Sequence, residues 1–306
     1  GFSVQPGGQS APALATFCRN SIKMLYGTSA ADWVFSPLSS MVGAREYSIK
    51  ALASTYFLDD SGVTNLQAAQ SFGNFTHSTI TGNIMPFINS KRNYISYSSV
   101  SRERSQYRLF FSDGYALYAT IVNGKVLGLS QCLFSNPVYC ACEGELSDGS
   151  EVLFFGSASG GYVYQMDVGS SFDGAAITAS LKFNWNHSKS PRTLKRYRKL
   201  SLEVQGDSYA GITVGSSLAY GSIEEIQPSA TSHDVNLAQG LSWDDLAIVW
   251  DAPGLIWDGS SLLPTEISML GTGENIQITI SSGTDYIYPF TLNAYILSYT
   301  PRRTIR

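Results

Sequence analysis

The amino-acid sequence predicts an all-β protein in which β-propeller-like blades are followed by a β-sandwich or barrel-like domain. One observation is a repeated hairpin, an aromatic strand with a small Gly-containing turn and a second strand, at 107–118 and 152–164 with a looser copy at 56–66. Phe110 and Phe154 are 44 residues apart, and a four-stranded blade repeats every 40–50 residues or so. Only 14% of the residues are charged, while 28 Gly, 18 Tyr and 15 Phe are present, as is typical of turn-rich β proteins.

Residues 1–20 are predicted to form an extended N-terminal arm. The first fifteen are mainly Gly, Ser, Pro, Ala and Gln, a composition that favours an extended linker over a packed element. Such an arm either lies on a neighbouring subunit or is free in solvent. The absence of an initiator Met leads us to expect a processed or trimmed product of a longer protein.

Residues 21–175 are predicted to form about three blade-like units of an incomplete propeller. In the first of these blades, we expect a strand after the Gly62 turn, then a long connection with a short turn of helix near 84–88. Asp113-Gly114 and Asn123-Gly124 are preferred in the tight turns of hairpins. The strands predicted for the second and third units are 94–100, 106–112, 115–122, 126–134, 138–145, 151–155 and 161–167.

Residues 176–306 are predicted to form the β-sandwich or barrel-like domain. Short apolar runs there alternate with loops rich in Ser, Gly and Pro, and no helical periodicity is visible. The basic segment after Asn184 is expected to lead into a strand. The predicted strands are 176–184, 200–205, 211–214, 246–250, 275–281 and 289–299.

Composition also excludes several classes of protein. The net charge of −4 and the pI near 5.4 give the chain no global attraction to nucleic acids or acidic membranes. No apolar run approaches the 18 or so residues that would span a bilayer. The N-terminus lacks the pattern of a signal peptide.

No catalytic, cofactor-binding or metal-binding residue is predicted, and the chain is expected not to be an enzyme. Adjacent acidic residues such as Asp59-Asp60 point to opposite sides of a strand, and Asp is also favoured in turns for its bonds to local backbone amides. No P-loop, HExxH or GxSxG motif occurs. A zinc site is disfavoured, and the four cysteines are expected to be small buried hydrophobes: Cys18, Cys132, Cys140 and Cys142.

The strongest charge feature is a basic stripe between positions 189 and 199. Six of the chain's twenty basic residues fall there: Lys189, Arg192, Lys195, Arg196, Arg198 and Lys199. It is a candidate wall of a DNA channel, because Lys and Arg bind phosphates without sequence preference. The alternative is a solvated strand that pairs with an acidic neighbouring subunit and protects a sheet edge. A second basic cluster, with the same two interpretations, contains Lys91, Arg92, Arg102, Arg104 and Arg108.

Several stretches resemble tail proteins of short-tailed bacteriophages (podoviruses). They include 106–114 (QYRLFFSDG), 154–167 (FFGS…GYVYQMD), 169–174 (GSSFDG), the basic stripe and the closing PFTL…YTPR of 289–302. The resemblance covers roughly residues 45–306. It implies a tail-tube or nozzle protein, a structural component that forms a ring around the channel through which DNA leaves.

The resemblance also implies partners and a location. The partners would be other copies in a ring, of six-fold symmetry by family resemblance, together with other tail and connector proteins and genomic DNA passing without sequence specificity. The location would be the virion tail, assembled in the cytoplasm of the host bacterium. Family members are generally longer, and about three units cannot close a propeller. Either the missing blades lie upstream or another chain completes the ring.

A carbohydrate-binding or carbohydrate-cleaving protein that recognises a receptor is the alternative function. Tryptophan side chains form platforms for sugars, although core packing is their commoner fate. The candidates are Trp33, Trp185, Trp243, Trp250 and Trp257, with Asp244, Asp245, Asp251 and Asp258 as possible acids. An interaction propeller is disfavoured, because the Trp-Asp and Kelch signatures are absent.

Overall fold

The computed structural model describes residues 1–5, 13–66, 79–169, 171–206, 209–236, 265–283 and 290–304. The chain divides into two compact units, Gly1–Val168 and Gly169–Arg306. Antiparallel strands dominate both units, which confirms the all-β prediction. The boundary that the sequence predicts, between 175 and 176, lies just inside the second unit.

The N-terminal segment forms two strands of a sheet, instead of the extended arm expected for residues 1–20. Ala15 and Phe17 are buried and lie opposite Met24 and Ile22 on the next strand, so one side of the segment belongs to the core. The Gly and Pro residues suggested a linker, because they interrupt the segment and leave only a few residues in which buried and exposed positions alternate. The four antiparallel strands are, in spatial order, β1 (Phe2–Gln5), β2 (Ala13–Phe17), β3 (Ile22–Tyr26) and β4 (Val34–Ser39).

A three-stranded sheet and a short helix follow. The sheet contains β5 (Lys50–Ala51), β6 (Thr55–Asp59) and β7 (Gly62–Asn65), and the helix α1 spans Met85–Lys91 after a 3-10 turn. The strand after Gly62 and the helix near 84–88 are therefore confirmed. Gly62 has a φ of 119°, and a Cβ there would lie 2.3 Å from Oγ1 of Thr81, so both conformation and space require glycine.

The second blade is a four-stranded meander in the order of the chain, as predicted. Asn123 and Gly124 both have positive φ, 51° and 73°, as the central residues of a type I′ turn require. The turn pairs Val122 with Lys125. The strands are β8 (Ile95–Ser101), β9 (Gln106–Phe111), β10 (Tyr115–Val122) and β11 (Lys125–Leu133).

The third blade has three strands, β12 (Val138–Glu145), β13 (Glu151–Ser157) and β14 (Val163–Gln165). Its core is aromatic and continuous with that of the second blade. Phe110 of β9, Phe134 and Phe155 of β13 form a chain of edge-to-face rings with centroids 6.0 and 5.8 Å apart. Aromatic pairs in this arrangement contribute beyond their buried area, which explains the Phe-Phe element of the repeated hairpin.

The second unit is a β-sandwich. A two-stranded hairpin, β15 (Ser171–Phe172) with β16 (Ala175–Ala176), precedes it. One sheet contains, in spatial order, β17 (Ala179–Lys182), β22 (Ile276–Ser282), β19 (Tyr209–Leu218) and β20 (Thr231–Asn236). The other contains β21 (Thr265–Gly273), β18 (Thr193–Gly206) and β23 (Phe290–Thr304).

The core of this unit lies between the two sheets. Leu200 and Leu202 of β18 and Ile212 and Val214 of β19 belong to one buried cluster, which confirms a sandwich-like domain. The predicted strand at 246–250 lies outside the described residues. Strand β18 begins at Thr193 rather than at Leu200, so most of the basic stripe belongs to the strand instead of leading into it. Two-sided pairing with β21 and β23 supports this longer strand.

Candidate functional site

The residues of the predicted basic stripe have different environments. Lys195 is fully buried, whereas Arg196, Arg198 and Lys199 are exposed on the outer side of β18. A register shift between Tyr197 and Lys199 places two consecutive basic residues in solvent. Lys189 and Arg192 are exposed before the strand begins. The stripe is thus a surface feature with one structural lysine in it.

Lys195 connects separate segments of the second unit through hydrogen bonds to backbone carbonyls. Its ammonium group donates hydrogen bonds to the carbonyl oxygens of Ser190 at 2.6 Å, Thr193 at 3.0 Å and Glu274 at 2.7 Å. All three donors of the ammonium are therefore used by backbone acceptors. Lys195 stabilises the fold, and its charge is not presented to a ligand.

We define the basic face as Arg196, Arg198, Lys199 and Arg302 on the outer side of the sheet β21–β18–β23. Arg196 lies opposite Thr300 of β23, and Arg302 follows two residues further along that strand and is exposed. The Nε of Arg198 donates to Oγ1 of Thr300 at 3.3 Å. Among the described residues, Lys199 alone of the four has an acidic partner, Glu266, at 2.6 Å.

The second basic cluster is largely neutralised within the first unit. Lys91 pairs with Asp113, and Arg92 donates to the backbone carbonyl of Asp60 at 2.8 Å. Arg108 is fully buried and pairs with Asp167 at 2.7 Å. These contacts hold elements of the fold together and use three of the five basic residues, whereas Arg102 and Arg104 are exposed.

Asp60 is the centre of one such network. Its carboxylate accepts hydrogen bonds from Arg19 at 2.7 Å and Arg45 at 2.9 Å. The hydrogen bond from Arg19 is the main cause of the lowered pKa of Asp60, and Arg45 adds to it. The neighbouring Asp59 accepts from the amide of Ser61 at 2.7 Å, which is the turn role predicted for this doublet.

A groove in the first unit has an aromatic wall. It has a volume of about 740 Å³, and Phe2, Arg45, Tyr47, Lys50 and Tyr97 line it. The rings of Tyr47 and Tyr97 are stacked, with centroids 6.1 Å apart and planes inclined by 26°. The Tyr47 side chain is 62% exposed. We call this the tyrosine groove.

The backbone conformation of Tyr47 is unusual. Its φ is 58°, which is rare for a bulky residue and costs energy. The hydroxyl of Ser98 donates to the Tyr47 carbonyl, and the Tyr107 hydroxyl donates to the carbonyl of Ser48. These bonds hold the segment so that an exposed ring lies on Tyr97. Such a constrained exposed aromatic is typical of a binding surface.

A second groove of about 850 Å³ contains the carboxylates Glu143 and Glu151. Glu143 pairs with Lys50 at 2.8 Å. Glu151 accepts from the amides of Arg102 at 2.9 Å and Glu103 at 3.1 Å. Burial by itself raises the pKa of Glu151, but these bonds outweigh it, so the pKa is lowered. Glu143 also accepts from the amide of Val100 at 2.9 Å, so both carboxylates are already used as acceptors that join the second blade to the third.

The structure corrects the prediction for the cysteines. Cys18, Cys140 and Cys142 are exposed and Cys132 is half-buried, so they are not small buried hydrophobes. β12 has only two buried positions, and its thiols lie on the side that faces solvent. Within the described residues, no cluster of three or more His, Cys, Asp or Glu is arranged to hold a metal ion.

Two of the tryptophan candidates belong to the part of the chain that the structure describes, one in each compact unit. Trp33 is 59% exposed, and Trp185 packs against Tyr220 with ring centroids 5.2 Å apart. Trp243, Trp250 and Trp257 lie outside the described residues, as do Asp244, Asp245, Asp251 and Asp258. No described helix is long and apolar enough to cross a membrane.

The tyrosine groove was missed in the sequence. Tyr97 could have been found as an aromatic in a predicted strand, but the positive φ of Tyr47 has no local sequence signal, because Glu46-Tyr47-Ser48 contains no turn-forming Gly or Asn.

Comparisons with known proteins find weak structural similarity and no match among family models or curated proteins. Among solved structures, an exo-β-1,3-galactanase from Phanerochaete chrysosporium with galactose has 10% identity and a TM-score of 0.26, covering 94% of this chain and 78% of the other. A variant of that enzyme with β-1,3-galactotriose has 8% identity and a TM-score of 0.29, with coverages of 97% and 95%.

These neighbours are enzymes, which contradicts the expectation that the chain is not an enzyme, and that expectation is withdrawn. TM-scores below 0.5 carry no argument for transferring galactanase activity to this chain.

Proposed function

We propose that the chain is a structural subunit of an oligomeric assembly with a β-rich wall, of the tail-tube or nozzle kind that short-tailed bacteriophages form around the DNA exit channel. The observation that carries the proposal is the apolar outer edge of the second blade. β11 is nine residues long and, in the part of the chain that the structure describes, pairs only with β10. Leu127 and Leu133 on it are 70% and 57% exposed.

Soluble proteins usually protect such edges, because unpaired backbone groups beside apolar side chains are a template for another chain. A single basic residue, Lys125 at its start, is the only charge on β11. The outer strand of the first sheet, β4, likewise exposes Val34 and Phe35 by 60% and 56%. Both edges are protected when neighbouring subunits cover them. In a closed ring every subunit has a neighbour on each side, so no edge stays exposed.

The test is self-association of the purified chain. Sedimentation velocity over a range of concentrations should show oligomers, and negative-stain micrographs should show rings, six-fold by the family resemblance. The double variant Leu127→Lys/Leu133→Lys should shift the chain towards monomer. Met41→Lys changes an apolar residue outside any strand that is even more exposed, and it should have no effect. A wild-type chain that stays monomeric at every concentration refutes the proposal.

The basic face is the surface that we assign to passing DNA in this proposal. Its residues carry guanidinium and ammonium groups that contact phosphates without reading bases. Few contacts suit a conduit, because each neutralised phosphate adds affinity that would slow the exit of the genome. The net charge of −4 on the whole chain also lowers its affinity for DNA.

Carbohydrate binding at the tyrosine groove is the second candidate. The stacked Tyr47–Tyr97 pair presents an exposed ring against which the C–H face of a sugar can pack, and Glu46 and Lys50 line the same groove as polar partners. Saturation-transfer NMR with purified bacterial surface polysaccharide tests it. Tyr47→Ala should weaken binding by up to about tenfold, whereas Tyr94→Ala, another exposed tyrosine, should not. Equal effects of the two variants would count against the groove.

A further inference from the structure

The loop between β19 and β20 presents an acidic and apolar tip. Ile223 is 100% exposed and Ile226 is 91% exposed, and Glu224 and Glu225 between them are also exposed. We define the acidic loop as Ser222–Ile226. Isoleucine side chains exposed to this extent do not gain the stabilising free energy that burial of their apolar surface would provide.

The acidic loop is held rigidly at its base. The Gln227 side chain accepts from the amide of Leu218 at 2.8 Å and donates to the carbonyls of Leu218 at 3.1 Å and Ser222 at 2.8 Å. The buried Asn275 accepts from the amide of Tyr220 at 3.1 Å. Ala219, Tyr220 and Gly221 all have positive φ, so the chain turns sharply just before the loop.

A rigid loop is suited to binding, because little conformational entropy remains to be lost when a partner covers it. A partner for this loop must offer apolar surface together with positive charge.

The basic face has that chemistry. Between its basic residues the outer side of the same sheet exposes Leu270 of β21 by 77% and Ile296 of β23 by 50%. Both alternate with residues of the inner side, the buried Met269 and the half-buried Leu297, so they share the face with Arg196 and Lys199. Apolar and basic groups are therefore mixed on the face, as acidic and apolar groups are mixed on the loop.

We propose that the acidic loop of one copy docks on the basic face of a second copy of this chain; a face that is covered in this way no longer contacts DNA, so this docking and the DNA contact assigned above compete for the same arginines. Ile223 and Ile226 pack against Leu270 and Ile296, and Glu224 and Glu225 meet the arginines. Among the described residues neither glutamate has an ion-pair partner within its own chain, and Arg196, Arg198 and Arg302 have none either. Complementary potentials of this kind fix register and favour the correct partner.

This inference rests on the proposed assembly but uses a surface different from the β11 edge, so the two can fail separately. Charge reversal separates them. Glu224→Arg/Glu225→Arg gives a chain whose loop and face are both basic, and Arg196→Glu/Arg198→Glu gives one in which both are acidic. Each variant alone should associate at least about tenfold more weakly than the wild type, and an equimolar mixture of the two should recover association.

Sedimentation velocity measures the association, and thermal melting establishes that each variant is folded. Glu103→Arg/Glu145→Arg makes the same charge change on exposed residues of the first unit and should leave association unchanged. Ile223→Ser/Ile226→Ser keeps every charge and should weaken association as the reversals do. Wild-type association in either reversal variant, or a mixture of folded variants that does not recover it, overturns the proposed docking. If only Leu127→Lys/Leu133→Lys abolishes association, the proposed function survives and this interface does not.

Discussion

A side-chain nitrogen of Arg108 lies 2.7 Å from a carboxylate oxygen of Asp167, and the Arg108 side chain is completely buried. Its guanidinium carbon also lies 4.4 Å from the centre of the Tyr118 ring. Arg108 belongs to the central part of the second blade, and Asp167 follows the last strand of the third. One buried charge thus connects two blades through a single acidic partner and an aromatic face.

Asp167→Asn is expected to destabilise the first unit by about 3 kcal/mol, because it leaves a buried cation without its counter-charge. Asn tolerates the φ of 62° at this position, so the backbone is preserved. Chemical denaturation measures the effect. Asp32→Asn, at an exposed aspartate of the same unit, is the control. Equal midpoints for the two variants would show that the ion pair does not support the fold.

Lys195→Met should destabilise the second unit by about 2–4 kcal/mol, because three backbone carbonyls lose their donor and the methionine cannot replace it. The neighbouring Arg196→Met removes an exposed charge and should change stability by less than about 0.5 kcal/mol. Thermal and urea unfolding of the two variants give the comparison. Similar losses in both would contradict the structural role assigned to Lys195.

Arg196→Ala/Arg198→Ala should weaken binding to double-stranded DNA equally for unrelated sequences. The slope of log K against log salt should become shallower by about two, since two phosphate contacts are removed. Fluorescence anisotropy across a salt series measures it. Lys125→Ala/Lys182→Ala removes two exposed lysines elsewhere and should leave the slope unchanged. Sequence-dependent loss would mean that the face reads bases.

Acid should weaken the Asp60 network. The pKa of Asp60 is lowered in the folded chain, so its contribution to stability is complete above the unfolded pKa near 4 and is lost as pH falls through the lower folded pKa. The difference in melting temperature between wild type and Asp60→Asn should be constant from about pH 5 to 7 and shrink below about pH 4. Asp32→Asn, in an exposed loop, is the control. A difference in melting temperature that grows as the pH falls would contradict the stabilising role assigned to the ionised Asp60.

Local signals were sufficient to predict the blades. The Asn123-Gly124 turn, the Asp113-Gly114 turn and the aromatic alternation beside them lie within single hairpins, where neighbours in sequence are neighbours in space. The helix after Ile84 was also visible, because Pro86 is favoured in the first turn of a helix.

The surfaces depend on contacts between distant segments and could not be predicted in the same way. Lys195 looks like any member of a basic run, and its burial follows from the carbonyl of Glu274, 79 residues away. The arginine network around Asp60 joins positions 19, 45 and 92. The acidic loop carried a weak signal, two isoleucines in a polar turn region, whose meaning needs the rigid base seen in the structure.

The pairing of β18 with β23 has a consequence for the order of folding. Arg198 and Thr300 are 102 residues apart, whereas the strands of the second and third blades meet neighbours only a few residues away. During synthesis the hairpins of the first unit can therefore close as they leave the ribosome. The sandwich must wait for β23, and long-range closure of this kind is slow. Until then β18 is an exposed half-paired strand, so the second unit is the part of a nascent chain that most needs protection by a chaperone.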